Sequence, residues 1–271
     1  MTTVTISEPG LYDIAETDYH ADNHLAPELG MSLSSTGAKA ILDCPARFHW
    51  QRTHRVEKDA FDKGTIAHAL ILNNPDPRLR IVDCYGWTLK KDQEARKAIR
   101  ADGNVAVSRA DLLAASKMAR AVRRHRLASA IFSEGKAEQS FYWIDEATGV
   151  TCRGRVDWLR DNAIVDLKTI SKADPRTITR QSYDYGYAQQ ADFYRRGIHA
   201  VTGQWLPFVH VFVESDEPHI VHVAQLDEDF LAIGSDRNDQ ALALYAECQS
   251  SDHWPAYGDD ITLISPPAWA K

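Results

Sequence analysis

Short runs rich in β-branched and aromatic residues mark strands at 138–144, 208–213 and 220–223, with a further one at 79–83. Two more, 153–160 and 163–169, flank Asp161-Asn162, a polar pair that accepts turn geometry. Helical spacing of apolar residues marks 38–42, a stretch carrying Phe48 and Trp50, and then 61–72, 91–100, 110–130, 187–201 and 226–248. Ser34, Ser35 or Thr36 caps the first of these helices and Cys44-Pro45 ends it. Asn73-Asn74-Pro75-Asp76-Pro77 is a loop, and Asp174-Pro175 breaks the chain. Residues 1–30 are acidic and poorly periodic, an N-terminal arm or strand-like lead-in interrupted at Pro9-Gly10. A hairpin followed by helix and further strands predicts a central mixed β-sheet flanked by helices, an α/β or α+β fold.

The hairpin carries the first candidate chemistry. A turn at Asp161-Asn162 pairs Arg160 with Ala163 and sets Asp157 opposite Asp166. Side chains so placed lie roughly 4.5–5.5 Å apart. Two facing carboxylates repel, and a divalent cation between them reverses the sign of the interaction. Lys168 projects from the same face as Asp166, because side chains alternate along a strand. A slip of one residue in register would move Asp157 to the other face. Asp-x-Lys alone is a common chance pattern; the second, opposed Asp distinguishes this one.

The helix at 61–72 is apolar on most sides and is expected to be buried. His68 lies on it, with Gly64 one turn earlier on the same face. A single His on an apolar helix is more often a satisfied core residue than a ligand, and Gly64 beside it points to a close approach. On the helix at 187–201, Gln190 and Tyr194 are four residues apart and face the same way.

Composition narrows the class. The 271 residues are 44% hydrophobic, enough for one sizeable core. No apolar run reaches the length of a membrane span. The first residues lack the basic and apolar regions of a signal peptide, and Cys44, Cys84, Cys152 and Cys248 are widely spaced. These features point to reduced thiols in the cytoplasm and away from a thiolate zinc or iron–sulfur site. The net charge of −7 is unevenly spread. Lys117, Arg120, Arg123, Arg124 and Arg126 cluster without an acidic neighbour, whereas residues 214–260 hold twelve Asp/Glu against Arg237 alone. A local phosphate-binding surface on an acidic protein fits this pattern, as does a solvated helix face.

Together these pieces resemble the PD-(D/E)xK nuclease superfamily, and within it the RecE-type exonuclease domain (exodeoxyribonuclease VIII). The resemblance is carried by Gly64-Thr65-Ile66-Ala67-His68, Arg155-Val156-Asp157, Val165-Asp166-Leu167-Lys168-Thr169 and Gln190-Ala191-Asp192-Phe193-Tyr194. Tyr183-Asp184-Tyr185-Gly186-Tyr187, Trp254-Pro255 and the end at 267–271 also look like that family. Val156 stands where the superfamily carries its eponymous proline, a residue without a chemical role.

The resemblance implies a restriction-endonuclease-like core over 31–271, with residues 1–30 as the arm. It implies that His68, Asp157, Asp166 and the Leu167 carbonyl hold Mg²⁺ or Mn²⁺, and that Glu138 sits where some relatives place a further acidic ligand. Lys168 would orient or help deprotonate the attacking water, and Gln190 and Tyr194 would stand beside the site. Lys168, Asp166, Asp157, Gln190 and Tyr194 are thus the expected catalytic group. The activity implied is 5′-to-3′ exonuclease action on double-stranded DNA ends, leaving single-stranded tails for phage or prophage recombination. The implied assembly is a homotetrameric ring, with a single-strand-annealing recombinase as partner. An endonuclease with the same core, or an inactive DNA-binding or assembly protein, is the alternative. No Gly-x-x-x-x-Gly-Lys-Ser/Thr element is present, so ATP use is not expected.

Overall fold

The two carboxylate-bearing strands do turn at Asp161-Asn162, and they form the middle of a sheet that has seven strands among the described residues. The computed structural model describes residues 5–21, 31–54, 62–258 and 260–266. The expectations for 1–4 and 22–30 of the arm, for Phe61 and for 267–271 lie outside the described residues.

From the N-terminus the elements are β1 (Gly10–Tyr12), α1 (Glu16–Ala21), β2 (Leu33–Ser34), α2 (Ser35–Asp43), α3 (Pro45–Thr53) and α4 (Asp62–Ile71). Then follow β3 (Leu79–Ile81), α5 (Lys90–Ala101), β4 (Val105–Val107), α6 (Arg109–Arg124) and α7 (Arg126–Ile131). The hairpin strands are β5 (Lys136–Ile144), β6 (Thr151–Arg160) and β7 (Ala163–Ile170). The chain ends through α8 (Pro175–Asp184), α9 (Tyr187–Thr202), β8 (Phe208–Glu214), β9 (Val221–Ala224) and α10 (Glu228–Ser251).

The main sheet runs β1-β5-β6-β7-β8-β9, with β2 added parallel to β6. Only β7 and β8 pair parallel along that path, because α8 and α9 carry the chain across between them. β3 and β4 form a separate two-stranded parallel sheet. The mixed sheet with helices on both faces is the α+β architecture that the pattern predicts. On one face Phe141, Val156, Ile164 and Phe208 pack against Ile41 of α2, Phe193 of α9 and Tyr245 of α10. On the other, Val165, Leu167 and Val211 pack against Ile66 of α4 and Met118 and Val122 of α6.

Several local expectations need correction. The helix expected over 110–130 is two helices, broken at His125, whose ring accepts from the Ala128 N–H and caps α7. Asp174-Pro175 starts a helix instead of merely breaking the chain: Asp174 caps α8 and Pro175 occupies its first turn, where a missing N–H costs nothing. The arm contributes β1, which pairs antiparallel with β5 in the main sheet. The short strands β2 and β4, of two and three residues, are too brief to show a period in the sequence.

One irregularity positions the site. Residues two apart on a strand share a face. Yet on β5 Ala137 joins the α4/α6 core while Phe141 and Trp143 join the α9/α10 core. On β6 Trp158 joins the first and Val156 and Cys152 the second. The alternation therefore resets on both strands between the pairs Ala137–Trp158 and Gln139–Val156. The residues at the reset are Glu138 and Asp157, and Glu138 takes the left-handed φ of 54°. That conformation costs an L-residue about 1–2 kcal/mol. Glu138→Ala is accordingly expected to be less stable than Glu138→Gly by about 1 kcal/mol. Both variants lose the carboxylate, so the comparison isolates the backbone, and it inverts the usual strand preference for Ala over Gly. Urea unfolding of the two variants reads the difference; Ala the more stable of the pair would disprove the strain.

Candidate metal-dependent nuclease site

The hairpin ladder ends at Trp158–Val165. Beyond it the Asp157 carboxylate occupies the space between the strands, where Oδ2 accepts the Leu167 N–H at 2.7 Å. The N–H and C=O of one strand residue point to the same side, and the Leu167 carbonyl lies 2.8 Å from His68 Nε2. His68 reaches this gap from α4, and its Nδ1 is 3.9 Å from Asp157 Oδ2. Both polar backbone groups of Leu167 are thus taken by side chains in place of β6.

His68, Glu138 and Asp157 converge there, with one ligand atom from each lying within 4.8 Å of the others. Asp166 and Lys168 flank the group on the α9 side. Asp166 Oδ1 accepts from Lys168 Nζ at 2.7 Å and from Gln190 Nε2 at 3.0 Å. Its Oδ2 is buried and has no hydrogen-bond partner among the described residues. Gln190 thus helps to fix Asp166, and Tyr194 stands one helical turn further along α9. Arg155 holds Glu138 at 2.8 Å and also donates to Ser140 Oγ and the Ile14 carbonyl. All eight residues singled out in the sequence therefore lie around one gap, although Asp166 stands outside the tight His68–Glu138–Asp157 trio.

The donor set fits a hard divalent cation. Three carboxylates, a carbonyl and one imidazole, with no thiolate, suit Mg²⁺ or Mn²⁺. Two ligands at right angles on such a cation, each at about 2.1 Å, are roughly 3 Å apart. His68 Nε2 and the Leu167 oxygen already have that spacing. The unpartnered Asp166 Oδ2 is the kind of buried polar atom that a ligand would satisfy.

Electrostatics separate the groups. Burial, then the neighbouring Asp166, pushes Asp157 up to about 7. Burial and Asp157 also raise Glu138. Burial acts to raise Asp166, but the Lys168 ammonium overrides it and holds the carboxyl below its usual range. Burial acts to lower Lys168, and Asp166 more than offsets that, so the amine stays charged. Burial and Lys168 hold His68 down, so its ring is neutral near pH 7.

A pH dependence follows. The folded Asp157 binds its proton more tightly than the unfolded chain does. Its contribution to stability is therefore full below about pH 4 and is lost as pH rises through about 7. Cation binding must expel that proton. At pH 6, calorimetry of Mn²⁺ binding in two buffers of different ionisation heat should show about one proton released, and at pH 8.5 nearly none. Asp157→Asn should abolish the release. Release unchanged in that variant would move the titration to another group.

An open cavity of about 930 Å³ leads to the gap, with His68, Glu138, Asp157 and Tyr194 on its wall beside Arg78 and Arg153. The basic α6 residues singled out by charge do not line it. Lys117 pairs with Glu217, and Arg123 donates to the Leu70 carbonyl, while Arg120 and Arg124 are exposed. Sequence reasoning also passed over His210. It is the β8 partner of Asp166, is buried among Phe208, Phe212 and Tyr187, and is lowered to about 4 by burial. Its place in an apolar strand gave no signal.

No helix among the described residues is long and apolar enough to cross a membrane. No curated protein is similar enough to the chain to count as a match. Among solved structures, a "Putative exonuclease" from Eubacterium rectale aligns over 95% of this chain and 97% of its own, with 14% identity and a TM-score of 0.65. That match concerns the fold. An alkaline exonuclease from Laribacter hongkongensis aligns over 69% of this chain and 90% of its own, with 14% identity and a TM-score of 0.30. The model of the PDDEXK-like domain of unknown function (DUF3799) matches residues 34–266, and with the mixed sheet and the carboxylate–lysine gap on β5–β7 it shows that the chain belongs to that PD-(D/E)xK family.

Proposed function

We propose that the protein is a divalent-metal-dependent exonuclease that hydrolyses linear double-stranded DNA from its ends. The observation that carries this reading is the gap between β6 and β7. A trio of potential ligands there faces a half-buried, charged lysine held against a second aspartate. His68, Glu138, Asp157, Asp166 Oδ2 and the Leu167 carbonyl would hold Mg²⁺ or Mn²⁺. The cation supplies charge neutralisation on the phosphate and an acidified water.

The chain's own groups do the rest. Lys168 is kept protonated by Asp166, so it serves as a fixed positive charge and hydrogen-bond donor at the phosphate oxygens. A general base would need the neutral amine, and the structure favours the opposite form. Gln190 is a positioning residue that holds the Asp166 carboxylate in one orientation, and Tyr194 stands beside it on the cavity wall. Arg155 holds Glu138 beside Asp157, and Arg153, bonded to Ser32, places positive charge on the cavity wall that the DNA backbone would meet.

The 5′-to-3′ polarity, the supply of single-stranded tails to an annealing recombinase and the tetrameric ring are proposed on the RecE-type resemblance. A duplex labelled at either end, offered linear or covalently closed with Mg²⁺, Mn²⁺ or chelator, tests the reaction. Metal-dependent loss of 5′ label as mononucleotides from the linear form alone is expected. Equal attack on closed circles would make it an endonuclease, and binding without hydrolysis of either would make it a DNA-binding or assembly protein. Sedimentation of the full chain reads the oligomer.

A further inference from the structure

The segment Tyr183-Asp184-Tyr185-Gly186-Tyr187 joins α8 to α9 and is not used by the reaction outlined above. It ends beside the catalytic lysine: Lys168 Nζ lies 5.3 Å from the centroid of the Tyr187 ring. The Tyr185 ring is the next one outward, 6.0 Å from Tyr187 and tilted by 38°. Tyr187 is half-buried, whereas Tyr183 and Tyr185 are 58% and 59% exposed. Large aromatic faces left to solvent next to a reaction centre call for an occupant.

Cations gather at the same place. Lys39 reaches across from α2, and its Nζ donates to the Tyr185 carbonyl at 3.0 Å. Burial and the nearby Lys168 push Lys39 down to about 8, and Arg237 adds to that repulsion. The Arg237 guanidinium lies 5.9 Å from the centre of the Tyr183 ring. Mutually repelling cations interleaved with exposed aromatic rings are the composition that holds a nucleic-acid strand: positive charge for the backbone and π-faces for the bases. Gly186, with φ of 62°, lets the chain turn sharply here, and a Cβ on it would touch Lys39 Cδ at 3.4 Å.

We propose that Tyr185, braced by Lys39 at its carbonyl, is a stacking shelf for a nucleobase next to the scissile phosphate, and that Lys39 faces the neighbouring phosphate. The shelf rests on the nuclease reading and deepens it. It selects for a base of any identity, since every base offers a π-face, and so it suits an enzyme that must degrade all sequences. It also gives the strand being cut a resting place for a base outside the duplex stack.

The test uses linear duplexes with an abasic nucleotide at each of the first four positions from the cleaved end, against an intact control. Single-turnover cleavage of the intact duplex by the wild-type chain is measured first. If nothing is cut there, the nuclease reading fails, whatever Tyr185 does. Given cleavage, one abasic position should slow the wild type on the order of 5- to 150-fold, the range of one base–aromatic stack. Tyr185→Ala should slow the intact duplex by a similar factor, and the variant should lose nothing further on that abasic duplex. Tyr185→Phe should behave as wild type, because it keeps the ring. Lys39→Met should flatten the log–log salt dependence of binding by about 0.7–0.9, one phosphate contact. Tyr185→Ala equal to wild type on the intact duplex, or losses from variant and abasic site that multiply, would overturn the shelf. Multiplied losses together with an altered sedimentation coefficient would instead place these rings at a contact between copies.

Discussion

Asp166→Asn is expected to cost at least about 10³-fold in turnover while leaving the chain folded. The two oxygens of the carboxylate differ in their surroundings, and the substitution separates them. Its Oδ1 is fixed by Lys168 and Gln190, and its Oδ2 is buried without a partner among the described residues. Asparagine can keep an acceptor oxygen for Lys168 and Gln190 but cannot supply the negative charge that a cation at Oδ2 would require. Stability should change little for a specific reason. Removing one partner of a buried pair ordinarily strands the other charge at a cost of several kcal/mol. Here Asp157 stands ready to take over: its carboxyl is raised by burial and by Asp166, and loss of that neighbour lets it ionise and balance Lys168. The melting temperature without metal should stay within a few degrees of wild type, each 1 kcal/mol being worth about 2–4 °C at this size. Turnover near wild type with Mg²⁺ would remove Asp166 from the site. A collapse of the melting temperature would show that Asp157 does not compensate.

The hairpin was legible because its information is local. Asp161-Asn162 sets the turn, and the pairs Arg160–Ala163, Leu159–Ile164 and Trp158–Val165 follow from it. Gln190 and Tyr194 were legible as a pair for the same reason, helical spacing. What periodicity could not reveal is the reset at Glu138 and Asp157. A strand that changes faces partway has no regular period, and the change is visible only in which core Ala137, Phe141, Val156 and Trp158 join. That break lets His68 on α4 and Glu138 on β5 meet Asp157, so their proximity had to come from the fold. The opposed pair Asp157–Asp166 was inferred from continued ladder pairing, yet the ladder stops one pair earlier. The carboxylate of Asp157 then bonds the Leu167 N–H instead of merely facing Asp166. Charge counting pointed to α6, and a tally of Lys and Arg cannot see that Lys117 pairs with Glu217 and that Arg123 donates to a carbonyl, whereas Arg120 and Arg124 are exposed.

Lys168→Met should lose roughly 10²–10⁴ in rate, the range for a positioned acid–base or electrostatic group, with metal affinity unchanged or tighter. Methionine keeps an apolar stem near the Tyr187 ring and removes only the ammonium. An ammonium cannot ligate a cation, and its charge opposes one, so its removal leaves the ligands intact and lifts a repulsion. The effect on pH separates this role from that of a ligand. Lys168 is the group that holds the Asp166 carboxyl down against its burial. Without it Asp166 should titrate higher, and metal binding at acid pH should release more protons from the Asp157–Asp166 pair than in wild type. The metal affinity of the variant should then fall more steeply with decreasing pH than that of wild type. A variant that loses Mn²⁺ binding at pH 8 as completely as Asp166→Asn does would show that Lys168 builds the cation site. Unchanged steepness would show that something other than Lys168 keeps Asp166 ionised.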